Sequence, residues 1–385
     1  MSRILFIGMT YPPDRFNDLL RFPLATAPSM LANMMRKRGH EVGVWDRGLD
    51  ISRPLLHTWD AICISVATSE SLSFAIELIK DIPPGPLVLV GGRATLAPTN
   101  FSKLSLVPRI DHIVAGDGTK ALVKIVEGGE TSRVILGRKA VRNELVIGWV
   151  PVGVLKVWGK WTQVPISVDS FCKWRKCAFC IANKGGVRVV NNKDSVEKGV
   201  KEFTELYDKG SVILNVIDNA ADYERVSELL PAMQHASITT MLVRIQSNWM
   251  EFLDRMRGME KKTVLRVGAE FADDRVLQSM NKGTSLKQIM SFMQEARKRG
   301  FFVYPFLMLN PPSTTPSQQR ASLRAFEDVC DAAAVCDVWI PEGTKWWKEG
   351  KRKTARGALA WSESWQEDKN ASGRRELERR LAWTG

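Results

Sequence analysis

Three cysteines stand within nine residues of one short stretch, Cys172, Cys177 and Cys180, in the pattern Cys-x4-Cys-x2-Cys. Thiolates are soft ligands that suit zinc or an iron-sulfur cluster. A structural zinc site uses four protein ligands, usually as two spaced pairs, and no second pair or histidine lies near this stretch. A fourth ligand from Cys330 or Cys336 is the alternative. The spacing therefore favours an iron-sulfur cluster held by three thiolates, with one iron left open.

The overall cysteine usage points to a reducing compartment. The chain has six cysteines, and the three outside the cluster stretch are scattered rather than regularly spaced. This is not the framework of a secreted disulfide scaffold, so the cytoplasm is the expected location. The N-terminal apolar run is broken by Gly8 and Pro12, unlike a signal peptide, and no segment reaches membrane-spanning length.

The chain is basic, with a formal net charge of +13 and a pI near 9.5. This charge implies an acidic partner, such as nucleic acid, an anionic lipid surface or an acidic substrate. From Lys345 to Gly385 there are 11 Lys or Arg against 6 Asp or Glu, interleaved with five tryptophans. Such a tail could bind nucleic acid or a peptide. The sequence favours the alternative, a solvated helix whose tryptophan face packs on the core.

In the first half of the chain, short apolar runs alternate with amphipathic helical patterns. Such alternation predicts a doubly wound parallel sheet. The loops that follow its strands are expected to converge on one ligand crevice. No Gly-x-Gly-x-x-Gly turn follows the first strand, which argues against a nicotinamide site. The predicted strands are Arg3–Gly8, Glu41–Trp45, Asp60–Val66, Pro86–Val90 and His112–Ala115, and the loops are Met9–Pro13, Ala67–Ser71, Gly91–Pro98 and Gly116–Gly118.

In the second half, a strand at Val164–Val168 leads into the cysteine stretch, and strands then alternate again with helices. The predicted strands are Val212–Ile217, Thr239–Ile245, Thr263–Val267 and Phe302–Met308, and the helices between them include Asp194–Tyr207 and Leu286–Arg299.

Several motifs in this half resemble those of radical S-adenosylmethionine (SAM) enzymes. They are the three cysteines with Phe179 before the last one, the segment Gly268-Ala-Glu270, the segment Met280-Asn-Lys-Gly283, and the loop from Asn310. The commonest family spacing is Cys-x3-Cys-x2-Cys, so the first gap here holds one extra residue. Phe271 replaces the usual serine, and Asn310 stands where a glycine is usual.

The first half resembles the cobalamin-binding domain that precedes many radical SAM enzymes. The resemblance rests on Ile4–Gly8 with Pro12-Pro13, on Gly39–Val42, on Val88–Gly92 and on Val114–Gly118. The Asp-x-His-x-x-Gly motif that supplies an axial histidine is absent, and His40, His57 and His112 do not fit it. The resemblance therefore implies cobalamin without a protein histidine on cobalt. The alternative is a Rossmann-like domain that has lost its cofactor.

Together these resemblances imply an α/β fold with an N-terminal doubly wound, Rossmann-like parallel sheet followed by a partial (β/α) radical SAM barrel. The expected divisions are a cobalamin-binding-like domain at 1–130, a linker with short strands at 131–161, the barrel at 162–340 and the basic tail at 341–385.

The resemblances also imply site residues. Cys172, Cys177 and Cys180 would bind a [4Fe-4S] cluster, and its open iron would chelate SAM. Phe179, Glu270 and Arg244 would contact SAM, although Glu270 could instead pair with Arg244 or Arg266. The expected cobalamin contacts are Thr10, Tyr11, Thr68, Ser69, Gly91, Gly92, Arg93, Gly116 and Gly118.

The implied activity is reductive cleavage of SAM to a 5′-deoxyadenosyl radical, followed by methylation of an unactivated carbon of the substrate. The identity of the substrate is open, and the basic charge of the chain would suit an acidic one. The implied partner is an electron donor of the flavodoxin or ferredoxin type. Alternatives are a radical rearrangement or cyclisation, and a non-catalytic iron-sulfur protein that binds nucleic acid through the basic tail. Methylthiolation is less expected, because the N-terminal half has only Cys63 to offer as a further ligand.

Overall fold

The computed structural model describes most of the chain, which divides into two compact units. Its strands form two six-stranded sheets. The residues that the structure describes are 1–9, 26–47, 53–67, 69–116, 118–137, 162–167, 172–180, 193–206, 212–221, 229–231, 233–234, 236–245, 248–338, 340–351 and 359–382. Most of the predicted linker at 131–161 lies outside them.

The first sheet has the strand order β2-β1-β3-β4-β5-β6, and all its pairs are parallel. Because the order reverses at β1, this is the doubly wound arrangement that the sequence predicted. Its elements are β1 (Arg3–Gly8), α1 (Thr26–Lys37), β2 (Glu41–Asp46), β3 (Ala61–Ser65), α2 (Ser69–Lys80), β4 (Leu87–Gly91), α3 (Pro98–Ser105), β5 (His112–Gly116), α4 (Thr119–Val126) and β6 (Val134–Gly137).

Both faces of the first sheet are covered. On one face, Ile4 and Phe6 of β1 pack in a cluster that includes residues of α1 and α4. On the other, Leu5 and Ile7 pack in a cluster that includes residues of α2. Burial on both faces explains why the strands read as continuous apolar runs rather than alternating ones.

The second sheet has the order β12-β11-β10-β9-β8-β7, with β8 to β12 paired in parallel. Sequential parallel strands with intervening helices are the arrangement of a partial (β/α) barrel, so the predicted fold class is confirmed. The elements are β7 (Thr162–Ile166), α5 (Lys193–Leu206), β8 (Val212–Ala221), β9 (Ile238–Val243), α6 (Trp249–Arg255), β10 (Thr263–Glu270), α7 (Asp274–Ser279), α8 (Leu286–Lys298), β11 (Phe302–Leu309), α9 (Pro316–Ala325) and β12 (Ala334–Asp337).

The helix starts of this half follow from local sequence. Ser285 and Gln288 form a capping box at the start of α8, and Thr315 and Gln318 form another at the start of α9. Each box satisfies N–H groups that would otherwise lack partners at a helix N-terminus. The two capping boxes fix the residues at which α8 and α9 begin.

The C-terminal tail forms α10 (Lys345–Lys348) and α11 (Leu359–Ala382). Helix α11 packs beside β12: the Asn370 side-chain oxygen accepts a hydrogen bond from the Ala333 amide at 3.1 Å, and Arg380 donates to the Gly300 carbonyl at 2.9 Å. Trp365 is buried. The sequence favoured such a packed tail over a free one. The exposed positions of α11 carry both signs of charge, with acidic residues at 363, 367, 368 and 378 and basic ones at 374, 375 and 379. None of the helices in the described ranges is long and apolar enough to cross a membrane.

Candidate functional site

The cysteine loop is described from Cys172 to Cys180, and all three of its thiols are half-buried. Cys177 and Cys180 flank a turn in which the Cys180 amide donates to the Cys177 carbonyl at 3.3 Å. Within the described residues, no three His, Cys, Asp or Glu side chains converge on a point where they could hold one metal ion. A four-iron cluster binds each thiolate to a separate iron, so it needs three thiols spread along one loop rather than converging on one atom. The donor set fits such a cluster.

A fourth ligand from the scattered cysteines has little support. Cys330 is fully buried, and burial raises the pKa of its thiol to about 12, so it is a neutral core side chain. Cys336 is exposed at β12. The pKa of Cys177 is also raised by burial, but the positive charges of Lys282 and Arg244 act in the opposite direction and favour the thiolate.

The loop is tied to the turn Met280–Gly283 by three hydrogen bonds. The Ala178 amide donates to the Met280 carbonyl at 2.7 Å. The Trp174 indole donates to the Asn281 carbonyl at 2.7 Å, and the Asn281 side chain donates to the Lys176 carbonyl at 2.8 Å. The Met-Asn-Lys-Gly motif of the sequence is therefore the support of the cysteine loop.

Trp174 lies directly against Gly283. Gly283 has φ +66, and a Cβ built on it would lie 2.2 Å from the Trp174 ring. On Trp174, the Arg244 guanidinium lies 4.6 Å from the ring centroid, and Arg244 Nη2 also donates to the Lys282 carbonyl at 2.5 Å. Arg244, expected to contact SAM, is thus placed where it braces both Trp174 and the turn. The extra residue of the x4 gap falls in this region, where Arg175 has φ +51.

Glu270 ends β10 and forms an ion pair with Lys282, with 2.6 Å between Oε1 and Nζ. The two side chains are 13% and 11% exposed, so the pair is largely but not fully shielded from solvent. A side chain at Gly268 would meet this pair, since a Cβ there would lie 2.8 Å from Lys282 Nζ. Glu270 has φ +64, and the pairing of β10 with β11 shifts register between Gly268 and Glu270.

Arg244 and Arg266 were the alternative partners expected for Glu270 from the sequence, and the structure gives Lys282 instead. Arg266 is buried and donates from Nη2 to the Asn215 side chain and to the Val216 carbonyl, both at 2.9 Å. Lys282 could have been found, because it is the lysine of the Met-Asn-Lys-Gly motif. The ion pair with Lys282 uses Oε1 of Glu270 at the end of β10.

A further residue of the site is Trp346, at the start of the tail. Its amide donates to the Ala178 carbonyl at 3.1 Å, and its indole donates to the Ser279 carbonyl at 3.2 Å. Its ring centroid lies 5.8 Å from that of Phe179. Trp346 is 2% exposed, so it is a core residue that backs the cysteine loop. Sequence analysis placed it among the tryptophans of the basic tail, and no sequence signal set it apart from Trp347.

One face of the second sheet opens toward the carboxyl ends of its strands. The register places Leu242 beside Arg266 and Gly268 beside Phe306. Because Arg266 and Gly268 are two residues apart on β10, all four positions lie on the same face of the sheet. Leu242, Phe306 and Met308 on that face are half-buried, whereas the first residues of β10 and β11 are buried. Partly accessible apolar side chains at the strand ends, next to Glu270, form a surface on which an organic substrate could lie.

The first unit has its own crevice, with about 620 Å³ of empty space including its opening to solvent. The glycines that line it include Gly91, Gly92, Gly116 and Gly118, all four predicted as cobalamin contacts. Gly92 has φ +111, and a Cβ there would lie 2.5 Å from the Val66 carbonyl oxygen. The glycine backbone and the apolar side chains that line the crevice fit a large ligand held by backbone and apolar contacts.

Arg93, another predicted cobalamin contact, is not in this lining; it is exposed at the start of the short 3-10 helix Arg93–Leu96. Thr10, Tyr11 and Thr68 lie outside the described residues, and Ser69 is described only as the first residue of α2. Phe6, Cys63 and Leu89 line the crevice from the sheet, although the sequence analysis did not include them. Burial raises the pKa of the Cys63 thiol to about 12.

The three-cysteine loop, its supporting turn and the strand-end carboxylate define a radical SAM domain. Residues 166–318 match the family model described as the Radical SAM superfamily. A domain of this class binds an iron-sulfur cluster and SAM. The sequence resemblance is therefore confirmed for this half of the chain. No curated protein matches the chain.

Solved structures extend the likeness to both halves. One is the radical SAM methyltransferase TsrM from Kitasatospora setae with tryptophan and a SAM analogue bound: 15% identity, TM-score 0.65, 86% of this chain and 72% of that one. Another is the cobalamin-dependent SAM radical enzyme OxsB with aqua-cobalamin bound: 13% identity, TM-score 0.63, 94% of this chain. The match spans only 58% of OxsB. The chain shares its fold with cobalamin-dependent radical SAM enzymes.

Proposed function

We propose that this chain is a cobalamin-dependent radical SAM enzyme that cleaves SAM reductively and methylates an unactivated carbon of its substrate. The observation that carries the proposal is the cysteine loop bonded to the Met280–Gly283 turn beside the Glu270–Lys282 pair. When bound, a reduced [4Fe-4S] cluster supplies the electron that cleaves SAM to methionine and a 5′-deoxyadenosyl radical, and cobalamin supplies the methyl group.

In this proposal the chain's own residues bind and orient. Cys172, Cys177 and Cys180 hold the cluster. Glu270 accepts hydrogen bonds from the ribose or ammonium group of SAM, and its ion pair with Lys282 holds the carboxylate in position. Phe179, supported from behind by Trp346, presents an aromatic face to the adenine or shields the cluster.

The glycines of the first-unit crevice make room for cobalamin by letting the backbone approach the ligand. The proposed cobalamin would have no protein histidine on cobalt, because the Asp-x-His-x-x-Gly motif is absent from the sequence. Half-buried Leu242, Phe306 and Met308 on the second sheet support an apolar part of the substrate. Fixing reactants at short range in a site shielded from water supplies much of the rate of such reactions.

Radical rearrangement or cyclisation uses the same cluster and SAM site, and remains the second candidate. Nucleic-acid binding by the tail is less favoured, because α11 uses its buried face for packing and exposes charges of both signs.

The proposal is tested by anaerobic reconstitution of the purified chain with iron and sulfide. With SAM and dithionite we expect 5′-deoxyadenosine, and with hydroxocobalamin we expect a cobalamin spectrum that stays with the protein on gel filtration. Cys172→Ala, Cys177→Ala and Cys180→Ala should each lose the cluster absorbance and SAM cleavage. Cys336→Ala is the matched control, since this thiol is exposed and outside the loop.

The outcomes separate the parts of the proposal. Wild-type protein that incorporates a cluster but forms no 5′-deoxyadenosine would overturn the radical enzyme. Protein that cleaves SAM but never retains cobalamin would overturn the methyl transfer and favour rearrangement or cyclisation. A cluster that survives in any one of the three loop variants would show that the ligand set is wrong.

A further inference from the structure

The surface around the cysteine loop is cationic. Lys173, Arg175 and Lys176 of the loop are exposed. On and just after α10, Lys345, Lys348 and Lys351 are exposed as well. Residues 172–180 contain no acidic residue, and residues 340–351 contain only Glu342 and Glu349. Glu349 pairs with Lys345 at 3.6 Å. We call these six cations, with Trp347, the loop–α10 surface.

The two parts of this surface are directly joined. The Trp346 amide donates to the Ala178 carbonyl, between Cys177 and Cys180, and the Lys351 amide donates to the Trp346 carbonyl at 2.9 Å. Any protein that touches α10 therefore lies close to the thiols of the loop. The residues 166–318 that match the family model do not include α10, so half of this surface belongs to the C-terminal segment of this chain.

The centre of α10 presents an unusual side chain for a solvated surface. Trp347 is 48% exposed, next to the fully packed Trp346. An exposed tryptophan ringed by charges is typical of the anchor residues of protein interfaces, which pack in a dry centre while charges form the rim. Neither SAM nor a small substrate needs such an anchor outside the loop.

We propose that the loop–α10 surface is the docking site of an acidic one-electron carrier protein, which reduces the cluster. This inference rests on the proposed function. Positive charge on the enzyme would steer an acidic carrier to the cysteine loop, whose three thiols are half-buried, and would raise the association rate. Lys348 and Lys351 steer the carrier, and Trp347 anchors it. The electron passes from the carrier's flavin or iron-sulfur centre to the cluster, and the carrier leaves oxidised by one electron.

The test compares two reductants on the same reconstituted enzyme. Dithionite is small and needs no docking surface, whereas reduced flavodoxin, kept reduced by its NADPH-dependent reductase, does. The variants are Lys348→Glu with Lys351→Glu, and separately Trp347→Ala. The matched control is Lys261→Glu with Lys298→Glu. Lys261 and Lys298 are exposed and precede the amino ends of β10 and β11, whereas the cysteine loop follows the carboxyl end of β7.

With flavodoxin we expect the double reversal to raise the KM for the carrier about tenfold or more, because two attractive contacts become repulsive. Trp347→Ala should raise it as well, and the salt dependence of the rate should weaken in the double reversal. With dithionite, the rate of 5′-deoxyadenosine formation should be unchanged in every variant. The Lys261 and Lys298 control should behave as the wild type with both reductants.

Equal flavodoxin KM values in all variants would overturn the docking site. An equal loss with both reductants would also overturn it, since the variants would then damage the cluster loop. Direct titration of the reconstituted enzyme and its variants with flavodoxin measures binding to this surface without requiring activity. A wild-type enzyme that binds flavodoxin but cannot cleave SAM would therefore overturn the proposed function and leave the docking site standing. Loss of affinity for single-stranded RNA, with flavodoxin binding intact, would reassign this surface to nucleic acid.

Discussion

Gly283→Ala should break the contact between the Met280–Gly283 turn and the cysteine loop. Gly283 has φ +66, and the added Cβ would lie 2.2 Å from the Trp174 ring. No rotation of the new methyl group relieves this, because a Cβ has a fixed position on its backbone. Either the turn or Trp174 must move, and Trp174 carries the hydrogen bond to the Asn281 carbonyl and the stacked Arg244.

The magnitude can be built from separate terms. A non-glycine residue in the left-handed region costs about 1 to 2 kcal/mol. Overpacking of a well-filled contact typically adds about 1 to 3 kcal/mol, so we expect a total of about 2 to 5 kcal/mol for Gly283→Ala. Gly350→Ala isolates the backbone term: Gly350 has φ +65, and nothing lies within 4 Å of a Cβ built there. It should lose only about 1 to 2 kcal/mol.

The assay is urea unfolding of the apo-protein followed by circular dichroism, together with iron bound per chain after reconstitution. A Trp174→Ala background removes the ring that the new methyl group would strike. In that background Gly283→Ala should cost no more than Gly350→Ala, giving a coupling energy of about 2 kcal/mol. Additive effects of Trp174→Ala and Gly283→Ala would refute the reasoning, as would full iron content in Gly283→Ala.

Three other outcomes are expected. Gly92→Ala should weaken hydroxocobalamin retention about tenfold or more, because its Cβ would lie 2.5 Å from the Val66 carbonyl oxygen and the crevice-lining backbone at Gly92 would have to shift. Gly85→Ala, with φ +122 and open space around it, should retain cobalamin normally. In the native chain, iodoacetamide at pH 8 should label the exposed Cys336 and spare the buried Cys63, as read by mass spectrometry. The reason is that a Cys63 thiol with a pKa of about 12 holds almost no thiolate at pH 8. Labelling of both cysteines at the same rate would contradict this. Gly373→Ala should lower the free energy of unfolding by about 1 to 3 kcal/mol, seen as a lower urea midpoint, because its Cβ would lie 2.6 Å from Ala332 Cβ. Ser372→Ala, at an exposed position, should have almost no effect.

Much of the fold could be predicted because each level of the sequence agreed with the next. The run Ile4–Gly8 is apolar throughout and is buried in a parallel sheet covered on both faces, so its pattern specified both a strand and its environment. The alternation of such strands with amphipathic helices then specified the layers. Most strand limits differed by one or two residues, as at β4, which begins at Leu87 rather than Pro86. Two strands run further than predicted: β8 ends at Ala221 rather than Ile217, and β10 ends at Glu270 rather than Val267.

The ties between distant segments could not be predicted. Lys282 and Glu270 are 12 residues apart and share a motif region, so their pairing was within reach. Trp346 lies 67 residues from the Ser279 carbonyl that it binds. Neither periodicity nor charge distinguishes Trp346 from Trp347, although one is buried and the other half exposed. Which tryptophan faces the core depends on where α10 begins, and that is set by the cap of Thr344 on the Trp347 amide.

Departures from the family pattern become intelligible through the backbone. Asn310 stands where a glycine is usual and has φ +54. Asparagine is among the few residues that tolerate this region, and its side chain also donates to Asp337 at 2.8 Å. The position therefore demands a left-handed conformation rather than a glycine as such.

The same argument applies to the extra residue between Cys172 and Cys177. Trp174 turns out of the loop to lie on Gly283, and Arg175, at φ +51, reverses the chain immediately afterwards. Lys176 then returns to the supporting turn through the Asn281 hydrogen bond. The longer gap thus contains an anchoring residue and the reversal that it requires, so the spacing is altered while Cys177 and Cys180 keep their place against Met280. A chain shortened by deletion of Arg175 should lose the Trp174 contact and, with it, the retention of iron, because the remaining residues cannot reach Gly283 and return.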